Sequence, residues 1–384
     1  MSILHVITGL GTGGAERALF STLEGGLSRS IPCHVLSLTD KGTYGDRIEA
    51  LGVPVHALHM KRGLPTAAVI SGLRRVIREV RPDILQGWMY HGNLAASLGR
   101  FMAPGFPSLA WNVRHSLYGM DGEKTMTRYV IRAGALLSGR PDVILYNSET
   151  SRRQHEAFGF SAKRGLVIPN GFDLNRLSPS PERGIAIRKE LEIPLDAIVI
   201  GHVGRLHPLK DHPRFLRAAV RLIQEESQDI HVVMSGLGVG YDTASLASTI
   251  PAGLIARFHL LGERRDVPDL MCAMNVFCQS SWSEAFPNVL GEAMAAGVPC
   301  VATDVGDSGP VVGDTGVVVP PSDDEALFCG LRQLLGKSVL ERQMLGEAAR
   351  SRVAACYGRE AVVAGYVKLY KELAGRKPHS ASGA

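Results

Sequence analysis

Glu284 and Glu292 stand with seven residues between them in Ser283-Glu284-Ala285-Phe286-Pro287-Asn288-Val289-Leu290-Gly291-Glu292-Ala293-Met294-Ala295. Proline suits the first position of a helix, where its missing N–H leaves nothing unpaired. The pattern therefore predicts a loop carrying Glu284, a helix opening at Pro287, and Glu292 about one turn inside. On one continuous helix the two carboxylates would sit roughly 80° apart around the axis. The break instead lets both address one ligand from two levels. Between them, the amides of Asn288, Val289 and Leu290 form a helix start that attracts anions. Carboxylates for sugar hydroxyls and amides for phosphate describe a nucleotide-sugar site.

Other segments carry matching chemistry. Gly204-Arg205-Leu206-His207-Pro208-Leu209-Lys210-Asp211 follows an expected strand and places two cations before a helix. Arginine serves a diphosphate as a two-pronged fork and lysine as a point charge. Ser235-Gly236-Leu237-Gly238 and Leu261-Gly262-Glu263-Arg264 are glycine turns at strand ends, where the ligand crevice of an open parallel sheet lies. This puts Gly236 and Arg264 on the edge of the site, where the resemblance described below makes them donor-binding. His91 and the Arg114-His115 pair follow strands of the first half; His91 and Arg114 are assigned to the acceptor side. Gly9-Leu10-Gly11-Thr12-Gly13-Gly14 formally fits the G-x-G-x-x-G dinucleotide fingerprint. Its first acidic candidate after a second strand, Asp40, falls later than the NAD pattern requires. An NAD-dependent oxidoreductase stays open as an alternative. No Asp-x-Asp pair occurs, which argues against a nucleotide diphosphate held on Mg²⁺, and no metal ligands or cofactor are expected. No serine or cysteine hydrolase signature stands out.

These residues need strands and helices to hold them. Apolar runs alternate with helical patterns through both halves, which predicts α/β layers with parallel sheets. Strands are expected at 3–8, 33–37, 55–58, 84–87, 109–113, 143–146 and 165–168. A second set falls at 198–203, 231–235, 258–261, 276–279, 299–302 and 316–319. Helical patterns fall between them, including 15–27, 94–102 and 213–225. The Pro/Ser stretch Leu177–Glu182 reads as the linker. The expected division is a first α/β domain over 1–178 and a second over 179–359, which the resemblance described below makes the acceptor and donor domains. A helix at 360–374 follows, then a disordered tail at 375–384. Two such halves would place a ligand cleft between them.

With 384 residues the chain can bury two substantial cores. Six scattered cysteines without a C-x-x-C pair suit buried thiols of a reducing compartment. No apolar run approaches the ~20 residues of a membrane span. The chain opens directly on a strand without a leader pattern, so a cytoplasmic location is expected, peripheral at the inner face of the membrane. The net charge of +5 is uneven: residues 1–175 hold 20 Lys/Arg against 13 Asp/Glu, and the rest 22 against 24. Lys61, Arg62, Arg74, Arg75, Arg78 and Arg81 cluster around one helix. They read either as a solvated face or as a surface for anionic lipid headgroups. Aromatic residues do not interleave with these charges, so nucleic acid is not the expected partner.

Read in order, several segments resemble the retaining glycosyltransferases of family 4. They are Gly13-Gly14-Ala15-Glu16-Arg17, His115, Asn147-Ser148-Glu149, Ile168-Pro169-Asn170-Gly171, Gly204-Arg205 with Lys210, Leu261-Gly262 and the glutamate pair. The resemblance implies the GT-B fold, two facing Rossmann-like domains with a cleft. It implies that the Gly13-Gly14 backbone meets the donor diphosphate and that His115 touches the donor sugar near the reacting centre. Arg205 and Lys210 would bind the diphosphate and stabilise the leaving group. Glu284 would bond sugar hydroxyls, and the backbone from Phe286 through Pro287, Asn288 and Val289 would help hold sugar and phosphate. Glu292 would bind the ribose, with Arg264 near the base, and the last helix would return to the first domain. The implied reaction transfers a sugar with retention, from a UDP- or GDP-linked donor to a glycan or polyprenyl- or lipid-linked acceptor. A bacterial surface polysaccharide or glycolipid would be the product. A non-catalytic nucleotide- or glycan-binding protein on the same fold is the further alternative.

Overall fold

In the computed structural model the described residues are 1–61, 65–120 and 124–375. Arg62 of the basic cluster and residues 376–384 of the expected tail lie outside them, while Gly375 still closes the last helix. Thirteen strands form among the described residues, at the thirteen expected places. They are β1 (Ile3–Ile7), β2 (Cys33–Ser37), β3 (Val55–Ala57), β4 (Ile84–Trp88), β5 (Ser108–Val113), β6 (Val143–Tyr146) and β7 (Gly165–Val167). The second set is β8 (Ile198–Val203), β9 (Ile230–Ser235), β10 (Phe258–Leu260), β11 (Val276–Gln279), β12 (Cys300–Thr303) and β13 (Val317–Val319).

The chain divides into two units, Met1–Gly171 with Arg359–Ala384, and Phe172–Gly358. The sequence placed the first division at 178/179, inside the Pro/Ser stretch. That stretch is not a linker, because it is bound into the second unit. Phe172 and Leu177 pack in its core, Ser180 caps the helix Pro181–Glu190, and Arg350 Nη atoms donate to the Leu174 and Leu177 carbonyls, both at 3.0 Å.

The first unit holds a seven-stranded parallel sheet in the order β3-β2-β1-β4-β5-β6-β7. Helices cover both faces, so β1 and β4 are buried along their whole length, as expected for a parallel sheet covered on both sides. One face packs Leu73, Val76 and Ile77 of the helix Ala67–Val80. The other packs Val362, Val363, Tyr366, Leu369, Tyr370 and Leu373 of the helix Arg359–Gly375. Two expected helices differ. The run at 15–27 is broken, because Gly26 adopts φ 113° and only Gly14–Thr22 is regular α-helix. The helix expected from Leu94 begins at Met89, directly off β4. Close approach permits this start: a Cβ on Gly92 would collide with the Val6 carbonyl of β1, and one on Gly87 with the Asn93 backbone.

β1 also carries a titration prediction. His5 is fully buried and accepts from Trp88 Nε1 at 3.2 Å. Burial away from water lowers its pKa from 6.5 to about 3, so it is neutral when folded. The unfolded chain alone takes up this proton as pH falls below 6.5. The stabilisation is complete above that pH and declines through the window down to about 3. Urea unfolding between pH 7 and 5 should show a decline on the order of 1 kcal/mol per pH unit from this residue. The decline should flatten in His5→Gln protein.

The second unit holds a six-stranded parallel sheet in the order β10-β9-β8-β11-β12-β13. Its two apolar clusters lie on opposite faces. One is centred on Leu290, Ala293 and Met294, the other on Phe215, Leu216, Phe328 and Leu331.

Candidate functional site

In the second sheet the strand order reverses between β8 and β11, which are hydrogen-bonded neighbours. Ligands of open α/β sheets bind outside the strand C-termini at such a switch point. The two loops that leave the sheet here are Gly204–Asp211 after β8 and Ser280–Pro287 after β11, and they are bonded to each other. Trp282 N donates to Leu209 O at 3.0 Å and Trp282 Nε1 to Pro208 O at 2.9 Å. Ser280 Oγ donates to Lys210 O at 2.9 Å.

This lacing joins two of the predicted site residues. Lys210 Nζ forms an ion pair with the Glu284 carboxylate, and Ser281 Oγ donates to the same oxygen, Oε1, at 2.7 Å. Their side chains are 25% and 11% exposed, so water screens this pair less than a surface one. A cation and a carboxylate held together in a half-buried place match a ligand with phosphate at one end and hydroxyls at the other. The phosphate would draw the ammonium and the hydroxyls would satisfy the carboxylate. Arg205 lies exposed on the same loop.

Backbone contacts set the position of Glu284. Gly306 takes φ 59°, and a Cβ there would strike the Glu284 carbonyl. Asp307 N donates to Ala285 O at 3.3 Å. The helix start differs from the expectation in two respects. Pro287 is the residue before the helix, which spans Asn288–Ala295. The Asn288 amide is taken up by Phe286 O at 3.0 Å. The first intrahelical bond runs from Gly291 N to Pro287 O at 3.1 Å, so the Val289 and Leu290 amides open the first turn. Phe286 contributes to the core with its ring, stacked on Phe172 at 6.0 Å between centroids. Only its backbone is left for a ligand. Glu292 is 5% exposed, on the helix behind Glu284.

Two further loops reach the same sheet edge. A Cβ on Gly236 would collide with the Gly204 carbonyl, so this glycine lets β9 deliver its turn against the Gly204–Asp211 loop. Arg264 is gripped by Asp266, at 2.8 Å and 2.6 Å, and by Glu190, at 2.5 Å and 3.2 Å. Four of its five N–H donors are engaged, which leaves one N–H and the flat guanidinium face.

In the first unit the corresponding edge carries the other predicted residues. Gly13 is the N-cap of the helix Gly14–Thr22. A Cβ on Gly14 would meet nothing within 4 Å, so neither packing nor a left-handed backbone requires glycine there. His115 follows β5 and lies edge-on to Tyr90 at 6.3 Å. Its carbonyl accepts from Ser151 Oγ at 2.6 Å. His91, expected in a loop, occupies the first turn of the helix Met89–Met102, half-buried, and burial lowers its pKa. Arg114, expected on the acceptor side, is turned inward. Its Nε donates to Asn112 Oδ1 at 3.1 Å, its Nη atoms to Asn170 Oδ1 and Tyr366 Oη, and its guanidinium lies 5.3 Å from the Trp88 ring centre. Its role in the structure is to fasten the last helix to the first sheet.

Sequence reasoning missed the residues that hold the site together: Ser280, Ser281, Trp282, His202 and His212. The Ser280-Ser281 pair directly after β11, three residues before Glu284, was the available signal. The two histidines carried none, since only folding brings them beneath one loop.

Residues 12–176 match the family model described as Glycosyltransferase Family 4, and residues 197–337 match that of the Glycosyl transferases group 1. A D-inositol 3-phosphate glycosyltransferase of Geodermatophilus obscurus is 28% identical over 261 residues, 63% of this chain and 55% of that one. The UDP-Gal:alpha-D-GlcNAc-diphosphoundecaprenol alpha-1,3-galactosyltransferase of Escherichia coli is 26% identical over 68% of this chain and 67% of its own. The chain spans about half the length of the first curated relatives it matches. The crystal structure of Anabaena HepE in complex with UDP superposes with a TM-score of 0.82 at 21% identity, covering 97% of this chain and 100% of that one. That likeness shows the fold, which is GT-B. The two family models follow one another along the two units, and the chain belongs to the glycosyltransferases of family 4.

Proposed function

We propose that the protein transfers a sugar, with retention at the anomeric carbon, from a UDP- or GDP-linked donor to a glycan or lipid-linked acceptor in bacterial surface polysaccharide or glycolipid synthesis. The observation that carries this reading is the Lys210–Glu284 ion pair at the switch point of the second sheet. In the proposed course the bond from the anomeric carbon to the β-phosphate oxygen breaks while the acceptor hydroxyl bonds to the same face of that carbon. The hydroxyl proton passes to the departing phosphate. Arg205 and Lys210 stabilise the charge growing there, with the Val289 and Leu290 amides beside them and no metal required. Glu284 holds sugar hydroxyls, Glu292 the ribose, and the Arg264 face the base. From the first unit, the Gly13-Gly14 backbone and His115 are the groups offered to the donor, and His91 to the acceptor. Glu292 belongs to the ribose end, so no covalent glycosyl-enzyme is invoked.

The acceptor class draws support from the E. coli relative, whose name gives a diphosphoundecaprenol-linked acceptor. It also draws support from the exposed Arg74, Arg75, Arg78 and Arg81 of the first unit. Arg74 and Arg78 line a groove of about 460 Å³ with Ile70 and Phe101, cationic and apolar together, as an anionic lipid surface requires. No helix among the described residues is long and apolar enough to cross a membrane, so the proposed association is peripheral. Flotation should recover more protein with anionic vesicles than with neutral ones; equal recovery would remove the electrostatic claim.

Calorimetry with UDP, GDP and NAD tests the central reading. Binding of one diphosphate and not of NAD is expected; the reverse would overturn it in favour of an oxidoreductase. A panel of nucleotide sugars, scored by donor hydrolysis, then identifies the donor. Gly14→Ala adds a separate check. A methyl there meets open space, and alanine in a helix is favoured over glycine by roughly 0.5–1 kcal/mol. The variant should therefore melt no lower than wild type yet transfer sugar more slowly. Unchanged transfer would remove Gly14 from the site.

A further inference from the structure

Beneath the Gly204–Asp211 loop two histidines are buried ring against ring. His202 in β8 and His212 at the start of the helix His212–Glu225 have centroids 4.5 Å apart, and Phe215 closes on His202 at 5.0 Å. Burial lowers both pKa values, with the charges of His212 and Lys210 adding to the effect at His202 and that of Lys210 at His212. Both rings are therefore neutral, and their tautomers follow from their partners. The Gly204 carbonyl can only accept, so His212 Nε2, 3.0 Å away, carries the hydrogen. The single proton of Ser280 Oγ serves the carbonyls of Lys210 at 2.9 Å and Asp211 at 3.1 Å. His202 Nε2, 3.3 Å from that oxygen, is then the donor to it. In each ring Nδ1 is buried without a hydrogen-bond partner.

We infer that His212, and His202 acting through Ser280, are positioning residues that clamp the two ends of the loop so that Arg205 and Lys210 meet the donor diphosphate in one geometry. His212 holds the first carbonyl of the loop and the His202–Ser280 pair holds the last two. The far end needs holding, because Asp211 sits at φ 48°, ψ 48°, a left-handed conformation that a non-glycine residue adopts at a cost. Neutral imidazoles suit the task. They bring N–H donors to backbone carbonyls in a dry place without adding a third positive charge beside Arg205 and Lys210, which would compete with these for the phosphate. Glutamine can place an amide N–H near the position of Nε2; leucine cannot.

The inference rests on the proposal that this loop binds the diphosphate, and the experiment separates the two. Affinities for UDP and UMP, and for GDP and GMP, are measured by calorimetry for wild type, Arg205→Ala, Lys210→Ala, His212→Leu, His212→Gln and Ser280→Ala, and for the Arg205→Ala/Lys210→Ala double variant with and without His212→Leu. Thermal unfolding is followed in parallel. His212→Leu and Ser280→Ala should each lose roughly tenfold in diphosphate affinity with monophosphate affinity unchanged. His212→Gln should recover most of the loss, and His212→Leu should cost nothing further once Arg205 and Lys210 are both alanine. If His212→Leu does not fold, Ser280→Ala carries the same comparison. Equal losses for di- and monophosphate, or wild-type affinity in both folded variants, would overturn the inference alone. Wild-type diphosphate affinity in Arg205→Ala and Lys210→Ala would overturn the reading of the loop, and the inference with it.

Discussion

Lys210→Ala should lower the rate of sugar transfer roughly 10²–10³-fold, the loss typical of removing one preorganised group that meets charge developing in a transition state. The ammonium is held by the Glu284 carboxylate, and the backbone that carries it is fixed by Ser280 Oγ at the Lys210 carbonyl. Little reorganisation is then needed when the phosphate departs. In the proposed course the charge grows as the bond breaks, so the loss should fall on kcat more than on KM. Glu284→Gln probes the other half of the pair. It keeps the shape and frees Lys210, but weakens the acceptor for sugar hydroxyls, so donor KM should rise while binding of the free nucleoside diphosphate is retained or tightened. Steady-state transfer or donor hydrolysis reads both variants. A Lys210→Ala enzyme with kcat within about twofold of wild type, well short of the effect of one such group, would remove the lysine from the mechanism.

Tyr370→Ala should destabilise the first unit by roughly 3–5 kcal/mol, a large fraction of the ~5–15 kcal/mol that holds a typical domain folded. The ring is fully buried between the last helix and the first sheet, edge-on to His5 at 6.5 Å, and its hydroxyl donates to Gln86 Oε1. Truncation leaves a cavity and strips Gln86 Oε1 of the Tyr370 hydroxyl, while Gln86 Nε2 is already buried without a partner. Tyr370→Phe separates the two effects: it keeps the ring and loses only the hydrogen bond, for about 1–3 kcal/mol. Urea unfolding measures both. Because the units have separate cores, the variant should show a first transition at lower urea, with the second unit unfolding afterwards. Coincident transitions of wild-type midpoint would contradict this account of the last helix.

Much of the architecture was legible before folding, because it depends on local pattern. A strand buried on both faces must read as a continuous apolar run, as Ile3–Ile7 and Ile230–Ser235 do, and a crossover helix must lie between parallel neighbours. Boundaries were less legible where a long-range contact overrides a local signal. The proline-rich stretch after Leu177 looks like a linker until Arg350 and the core of the second unit are seen to hold it. The helix at Met89 starts early because Gly87 and Gly92 admit a close approach to neighbouring backbone, which no local propensity records.

The site divides in the same way. By itself the sequence determined which chemistry is available: two carboxylates, a loop with Arg205 and Lys210, glycine turns at strand ends, and no paired aspartates for a metal. Residue type and spacing suffice for that, because hydrogen-bonding capacity and charge belong to each residue. Only the tertiary structure decided what each group faces. It joined Lys210 to Glu284 across 73 intervening residues, bonded Arg114 to Asn112 and Tyr366, and occupied the Asn288 amide. It also set two silent histidines under the Gly204–Asp211 loop. Strand order brings the ends of β8 and β11 together at the switch point, and sequence distance carries no trace of that adjacency.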